Sequence, residues 1–404
     1  MTTFARRRGF CSTSKWMGTI GIIGIKPSAV GSLCKGIVLY CDSIGMSDDQ
    51  HFPEILTVGI KTTRNDRRYL QDKANLCYDF GCDLIAIPQR PGESKLAKKI
   101  SDDISSIPVF TLEQSIQELA KTVVDYAIEL ERPRRKNTVI RENLKNDRKL
   151  RLKRIADRYE HGKYPVLNNG FIGVVGGAAS ADFCFRLANA STPFVHYCSA
   201  NLSKQSASYT EHYKNAVNFF DSINATRLVI PSWNISNIDH KRLQECCEED
   251  SLTEIIDSRQ SVLDEYRNIS EGLILLDETT TGIGFLSNEG EMETQTPEKL
   301  FRCEEENFII TPNSQDQEKI MTAISSVKKA GNNNIGRAKE IILDVVCRTR
   351  KEHGDFRVIL GCTELTSVFK DLELCEFRFI DPEDSLADRC RQEIFKFQVK
   401  NNWL

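Results

Sequence analysis

Two stretches of this sequence repeat each other at an offset of roughly 145 to 150 residues, and that repeat restricts the fold more than any other feature. Ile20-Gly21-Ile22-Ile23-Gly24, running on to Pro27-Ser28-Ala29, is matched by Ile172-Gly173-Val174-Val175-Gly176-Gly177, running on to Ser180-Ala181. Each reads as a buried strand, a glycine turn and a helix. Further along, Asp83-Leu84-Ile85-Ala86-Ile87-Pro88 is matched by Arg227-Leu228-Val229-Ile230-Pro231. Both are apolar strands stopped by proline, each preceded by a helical stretch, 68–80 and 209–223. Strands alternating with helices imply a parallel sheet covered on both faces, hence an α/β fold.

The two copies differ in length. The first continues through a strand at 107–110 and a helix at 112–130, and then the composition changes. From Glu131 to Lys163 there are 13 Lys/Arg against 5 Asp/Glu, which reads as a solvated helical linker. The second copy runs on through strands at 272–276 and 308–312 and helices at 315–329 and 335–351. Residues 288–297 are acidic and poor in apolar side chains, and read as a surface loop. The expected organisation is a tail at 1–17, a partial domain at 18–130, a charged helical linker at 131–168 and a complete domain at 169–404.

With 404 residues the chain exceeds one ordinary core. A net charge of −3 gives no electrostatic case for a nucleic-acid or membrane partner, and the basic linker lacks the aromatic platforms that nucleic-acid binding would use. The apolar run at 20–25 is broken by glycine and closed by Lys26-Pro27, too short to span a bilayer. Fourteen cysteines include no Cys-x-x-Cys pair and the six histidines have no metal-ligand spacing with them, so most thiols are expected reduced and buried, with no metal site. The first residues are rich in Arg and Ser, and no acid precedes Asp42. That is the composition of a mitochondrial or other organellar transit peptide, or of a short basic tail on a cytoplasmic protein.

Val358-Ile359-Leu360-Gly361-Cys362-Thr363-Glu364-Leu365 carries the strongest chemical signal. An apolar strand ends at a glycine, and a thiol, a hydroxyl and a carboxylate follow where a helix would start. A thiol there is expected to have a lowered pKa from the helix dipole. Thr363 would offer its hydroxyl and backbone N–H to a carboxylate, and Glu364 would orient the thiol.

In the order in which they occur, Gly173-Val174-Val175-Gly176-Gly177, Leu275-Leu276 with Thr281, Pro312, Gly361-Cys362-Thr363-Glu364-Leu365 and Ile380-Asp381-Pro382 resemble the aspartate/glutamate racemase superfamily. The resemblance covers residues 170–395 as one complete domain, and 18–130 resemble the first half of the same domain. It implies a two-lobed, parallel-sheet, racemase-like domain preceded by a partial copy from tandem duplication, which would pack on a neighbouring lobe or mediate a homodimer. It also implies amino-acid metabolism without pyridoxal phosphate, metal or any other cofactor. One thiolate removes the substrate's α-proton while a thiol on the opposite face returns one. Cys362 would be that thiol acid/base, with Gly176, Gly177, Asn234, Thr281, Thr363 and Glu364 contacting a small carboxylate or amino-acid ligand.

The sequence departs from the family pattern at the partner thiol. The motif Ile-Pro-Cys-Asn-Thr is replaced by Ile230-Pro231-Ser232-Trp233-Asn234, and in the partial copy by Ile87-Pro88-Gln89-Arg90-Pro91. Serine is a much weaker acid than cysteine, so Ser232 is expected to be a weak catalytic partner. Asp277-Glu278 stand where small residues are expected, and would repel an anionic substrate if they faced it. Three readings follow. The chain is a racemase-like isomerase of aspartate, glutamate or a related carboxylate. Alternatively it is a pseudoenzyme that binds a small carboxylate or a protein partner. The third is a one-cysteine decarboxylase or isomerase.

Overall fold

The computed structural model describes residues 19–44, 46, 53–61, 67–88, 100, 107–112, 115–134, 151, 153–162, 164–177, 180–199, 202, 209–231, 254–256, 261–262, 272–276, 283–286, 292–295, 309–310, 312–330, 335–354, 356–361, 363–369 and 378–401. They fall into two compact units. One comprises Met1–Pro231, Leu243–Ile256 and Ala387–Leu404; the other comprises Ser232–Arg242 and Asp257–Leu386.

The first unit is built on eight strands: β1 (Ile20–Ile23), β2 (Ile55–Gly59), β3 (Leu84–Ile87), β4 (Val109–Thr111), β5 (Ile172–Gly176), β6 (Phe194–Cys198), β7 (Arg227–Val229) and β8 (Ile255–Ile256). They lie in the order β4-β3-β1-β2-β6-β5-β7-β8. Every neighbouring pair is parallel except β2 and β6. The sheet is therefore two parallel halves with one internal order, β2-β1-β3-β4 and β6-β5-β7-β8, joined edge to edge. Strands buried on both faces read as continuous apolar runs, and β1, β2, β3, β5 and β6 are buried at every position. The α/β expectation is met.

Helices α1 (Pro27–Ser43), α2 (Arg67–Phe80), α3 (Ile116–Arg134), α4 (Ser180–Asn189) and α5 (Tyr209–Ser222) cover this sheet. On one face α1 and α3 close a core of Ile20, Ile22, Leu33, Ile37, Leu84, Val123 and Val124. Gly31 of α1 lets α4 approach closely, since a Cβ there would lie 3.2 Å from Ala188 Cβ and from Phe185 Cα. On the other face Phe80 of α2 packs edge-on against Tyr197 of β6 and Phe219 of α5. Two helices end in the same way. After α2, Gly81 (φ +97°) turns the chain and the Cys82 N–H reaches the Cys77 carbonyl at 2.9 Å. After α5, Asn224 (φ +54°) turns it and the Ala225 N–H reaches the Phe220 carbonyl at 3.0 Å. Both are left-handed caps that satisfy a terminal carbonyl.

The described end of the charged segment is docked by one face, with most of its charged side chains exposed. A helical run at 153–160 buries Ile155, Arg158 donates to Asp79 Oδ2 at 2.5 Å, and the Tyr164 hydroxyl donates to the same oxygen at 2.6 Å. Asp79 is a buried acid on α2, so this polar contact fastens the segment to the sheet's helical layer.

The second unit has a four-stranded parallel sheet in the order β12-β9-β13-β14, made of β9 (Gly272–Leu276), β12 (Ile309–Ile310), β13 (Phe356–Leu360) and β14 (Arg378–Ile380). Helices α6 (Ser314–Ala330) and α7 (Ile335–His353) build its core from Ile320, Ile324, Ile342, Val346, Val358 and Leu360. The expected loop at 288–297 instead contains β11 (Met292–Gln295), paired antiparallel with β10 (Ile283–Leu286). Cross-strand pairing made this strand, and its own polar composition did not signal it. Helix α8 (Thr363–Val368) follows, and then α9 (Pro382–Lys400), which belongs to the first unit from Ala387 onward. The second of these starts where the sequence places its signals, with Pro382 at the first position and the Asp381 carboxylate accepting the Glu383 N–H at 3.0 Å. No helix among the described residues is long and apolar enough to cross a membrane.

The joint between the halves gives a direct test. Gly59 of β2 lies opposite Phe194 of β6, and a Cβ on Gly59 would stand 2.2 Å from a ring that is fully buried. Gly59→Ala is expected to lower stability by about 1–3 kcal/mol through overpacking. Gly336→Ala, in α7 where a Cβ meets nothing within 4 Å, should instead raise it by up to ~1 kcal/mol. Paired urea titrations check both; equal effects would refute the packing argument.

Candidate functional site

In the first unit two candidate residues, Gly176 and Gly177, lie where β5 leaves the sheet. Gly176 is the last residue of β5 and Gly177 begins the turn into α4. The turn is tight: a Cβ on Gly176 would lie 2.7 Å from Ser180 Cβ and 2.8 Å from Ser180 Oγ. Glycine is required there by close approach of its own chain. The Gly176 carbonyl accepts the Ser199 N–H at 3.1 Å, and the Gly177 carbonyl accepts both the Ser180 N–H at 3.1 Å and the Ser180 hydroxyl at 2.5 Å. The parallel neighbour β7 leads to Pro231, so the chain leaves both strands at one edge. Ser232 and Asn234, which follow, lie outside the described residues.

In the second unit Leu276 of β9 and Leu360 of β13 are register partners, so the segments after them leave that sheet at one edge. Gly361 is buried, and Thr363 and Glu364 are the first two residues of α8. Cys362 stands between them in sequence and, with Thr281, lies outside the described residues, as do the side chains of Thr363 and Glu364. Since α8 has only six residues, its macrodipole is smaller than the sequence argument assumed.

Three buried polar groups in the first unit gave no sequence signal beyond their position within apolar surroundings. Ser180, 2 % exposed, lies 2.7 Å from Nε2 of His196, which is fully buried in the middle of β6. On the other side of the ring, Nδ1 lies 3.7 Å from the Cys34 sulfur on α1. Burial alone pushes the His196 imidazole down to about 3. Burial pushes the Cys34 thiol up to about 12, partly offset by the Thr57 hydroxyl beside it. At neutral pH both are uncharged.

The third group is Lys73 on α2. Its ammonium donates to the Gly24 carbonyl at 2.6 Å and the Ile60 carbonyl at 2.5 Å, at the ends of β1 and β2. Among the described residues no carboxylate pairs with it. It is fully buried, and desolvation lowers its pKa from 10.5 to about 7. The two halves therefore differ at matching points. The carbonyl that ends the first half's central strand is taken by a lysine, and that of the second half by a main-chain N–H.

Among the described residues no group of three or more His, Cys, Asp or Glu could hold a metal ion. No disulfide links the described cysteines, and all but Cys347 are buried. No protein-family model matches the chain.

Lys73 yields a pH prediction. Its folded pKa lies below its unfolded one, so between pH 7 and 10.5 the unfolded chain binds the extra proton. Stability gains from this group as pH rises through that window, and the penalty of a buried charge is full below it. The stability difference between wild type and Lys73→Met should therefore climb with pH by about 1.4 kcal/mol per unit between roughly pH 7.5 and 10. A difference that stays flat in denaturant titrations across that range would refute a lysine with a depressed pKa.

Proposed function

We propose that this chain is a cofactor-independent isomerase of the aspartate/glutamate racemase type, acting on aspartate, glutamate or a related carboxylate through the Cys362 thiol. The observation that carries this reading is the local order around that thiol. A strand flanked on both sides in a parallel sheet, β13, ends at buried Gly361; Cys362 comes next, and a helix opens at Thr363. Open parallel sheets bind ligands outside the carboxyl ends of their strands. The same reading takes 18–130 as a partial copy of the fold at 169–404, supported by the shared order β2-β1-β3-β4 and β6-β5-β7-β8.

The chemistry follows from the side chains. The Cys362 thiolate takes the α-proton, leaving the electron pair on a carbanion delocalised into the adjoining carboxylate. Thr363, through its hydroxyl and backbone N–H, and Thr281 hold that carboxylate, and Glu364 orients the sulfur. Asn234 hydrogen-bonds the substrate, and within the first unit the Gly176–Gly177 turn is read by itself as a backbone contact for a small carboxylate. Return of the proton by Cys362 gives exchange without inversion. Delivery to the opposite face through Ser232 gives racemisation, and serine's weak acidity makes that the slow step.

A second reading is a silent binding protein for the same carboxylates, favoured by Ser232 in place of a thiol and by Asp277-Glu278 after the Leu275-Leu276 strand.

Proton exchange separates these readings. Wild type and Cys362→Ser are incubated with L-aspartate and L-glutamate in D2O, and Cα deuterium is followed by NMR. Exchange by wild type, lost in Cys362→Ser by at least about a hundredfold, is expected from a thiol base. Inversion accompanying exchange indicates a second acid, and its absence a one-base site. Calorimetric binding of either acid without exchange selects the binding protein, and neither binding nor exchange refutes both readings.

A further inference from the structure

We propose that Ser180 and His196 are positioning residues for the Gly176–Gly177 turn, and that the partial copy supports them through Cys34 and Thr57. This rests on the reading of that turn as a ligand contact.

The hydrogen bonds run in one direction only. Ser180 has a single hydroxyl proton, which goes to the Gly177 carbonyl at 2.5 Å. At 2.7 Å from His196 Nε2, Ser180 Oγ must then be the acceptor, so Nε2 carries the ring proton. Nδ1 is left as an acceptor, and the Cys34 S–H at 3.7 Å is the donor it faces. Thr57, the register partner of His196 on β2, has its buried hydroxyl beside the same sulfur but outside hydrogen-bond geometry. Cys34 donates to His196, His196 to Ser180, and Ser180 to Gly177.

What this fixes is one peptide plane. The Gly177 carbonyl is held from two directions, by the N–H and the hydroxyl of Ser180. Without that restraint a glycine pair would sample a wide range of backbone conformations, and a ligand would have to order it on binding. The ring is uncharged at neutral pH, because burial pushes its pKa down to about 3. Asp182 at the start of α4 raises the Cys34 pKa, and Lys35 pairs with Asp182 at 2.6 Å. A histidine that merely filled core space would need no serine at Gly177. The packing of Ser180 directly against Gly176 also ties side chain and turn together.

The partial copy thereby acquires a task. Thr57 lies on β2 and Cys34 on α1, both in the first half, while Ser180, His196 and the turn lie in the second. The edge-to-edge joint sets the imidazole, and the imidazole sets the turn.

The test uses the full chain with Ser180→Ala, His196→Leu and His196→Gln. Glutamine can offer an N–H near the position of Nε2; leucine cannot. For L-aspartate or L-glutamate, Ser180→Ala and His196→Leu should raise KM for Cα exchange, or Kd where the wild type binds without exchange, by about tenfold. Any kcat should stay within about threefold, and His196→Gln should lie within about threefold of wild type in both. Equal effects of leucine and glutamine, or a loss of kcat alone, would overturn the proposal. Should wild type neither bind nor exchange either acid, the functional reading fails, and the support of the turn is judged by amide hydrogen exchange. Faster exchange confined to the peptide spanning 176–180 in Ser180→Ala and His196→Leu, absent in His196→Gln, upholds it. Faster exchange spread evenly through the unit refutes it.

Discussion

The antiparallel pairing of β2 with β6, from Ile55 opposite Cys198 to Gly59 opposite Phe194, decides most of what the first unit can be. Either half alone would present a parallel edge strand with unpaired N–H and C=O groups, an aggregation hazard. Joined, each half closes the other's edge. The closure is dense on both faces: Gly31 brings α1 against α4, while Phe80 reaches across the joint to Tyr197 and Phe219. The first half obtains cover for its open edge from the strand it pairs with.

The sense of that pairing has a chemical consequence. Because β2 and β6 run in opposite directions, the carboxyl end of one lies beside the amino end of the other. The carboxyl ends of the strands of the two halves therefore lie at opposite ends of the sheet. The edge of the second half is bordered by the start of β2, where Glu54 accepts the Tyr197 hydroxyl at 3.0 Å and the Ser199 hydroxyl at 3.3 Å. The edge of the first half is tied by Lys73 to the carbonyls of Gly24 and Ile60. A fully buried amine fills that space.

How much of this was legible depended on the range of the signal. Ile20–Ile23, Ile172–Gly176, Leu84–Ile87 and Gly272–Leu276 were read correctly because an apolar run bounded by glycine or proline is local information. So were the helices ending at Phe80 and Ser222, whose left-handed caps need Gly81 or Asn224. The partnership of β2 with β6 was not legible, since pairing across more than 130 positions leaves no trace in either strand's composition. Met292–Gln295 failed as a strand for the same reason. In the candidate site, Gly176 and Gly177 stood out as a motif. Ser180 and His196 did not, because their meaning lies in a contact spanning 16 residues, and that of Cys34 in one spanning 162.

That polar groups sit in the middle of this joint at all calls for a physical reason, since apolar side chains of similar volume would be no worse for stability. Register supplies one. Side chains alternate across a strand, so a slip of a single residue at the joint would take Cys34 and Thr57 of the first half away from the imidazole of His196. The slipped state would leave the buried Nδ1 without a partner, which costs about 1–3 kcal/mol. At the end of the same pairing, Gly59 accepts the Phe194 ring where any side chain would collide with it. One lock is a hydrogen-bond requirement and the other is a shape requirement, and they select the same register. Two nearly repeated halves offer many ways to pair wrongly, and these two residues separate the correct one from its neighbours.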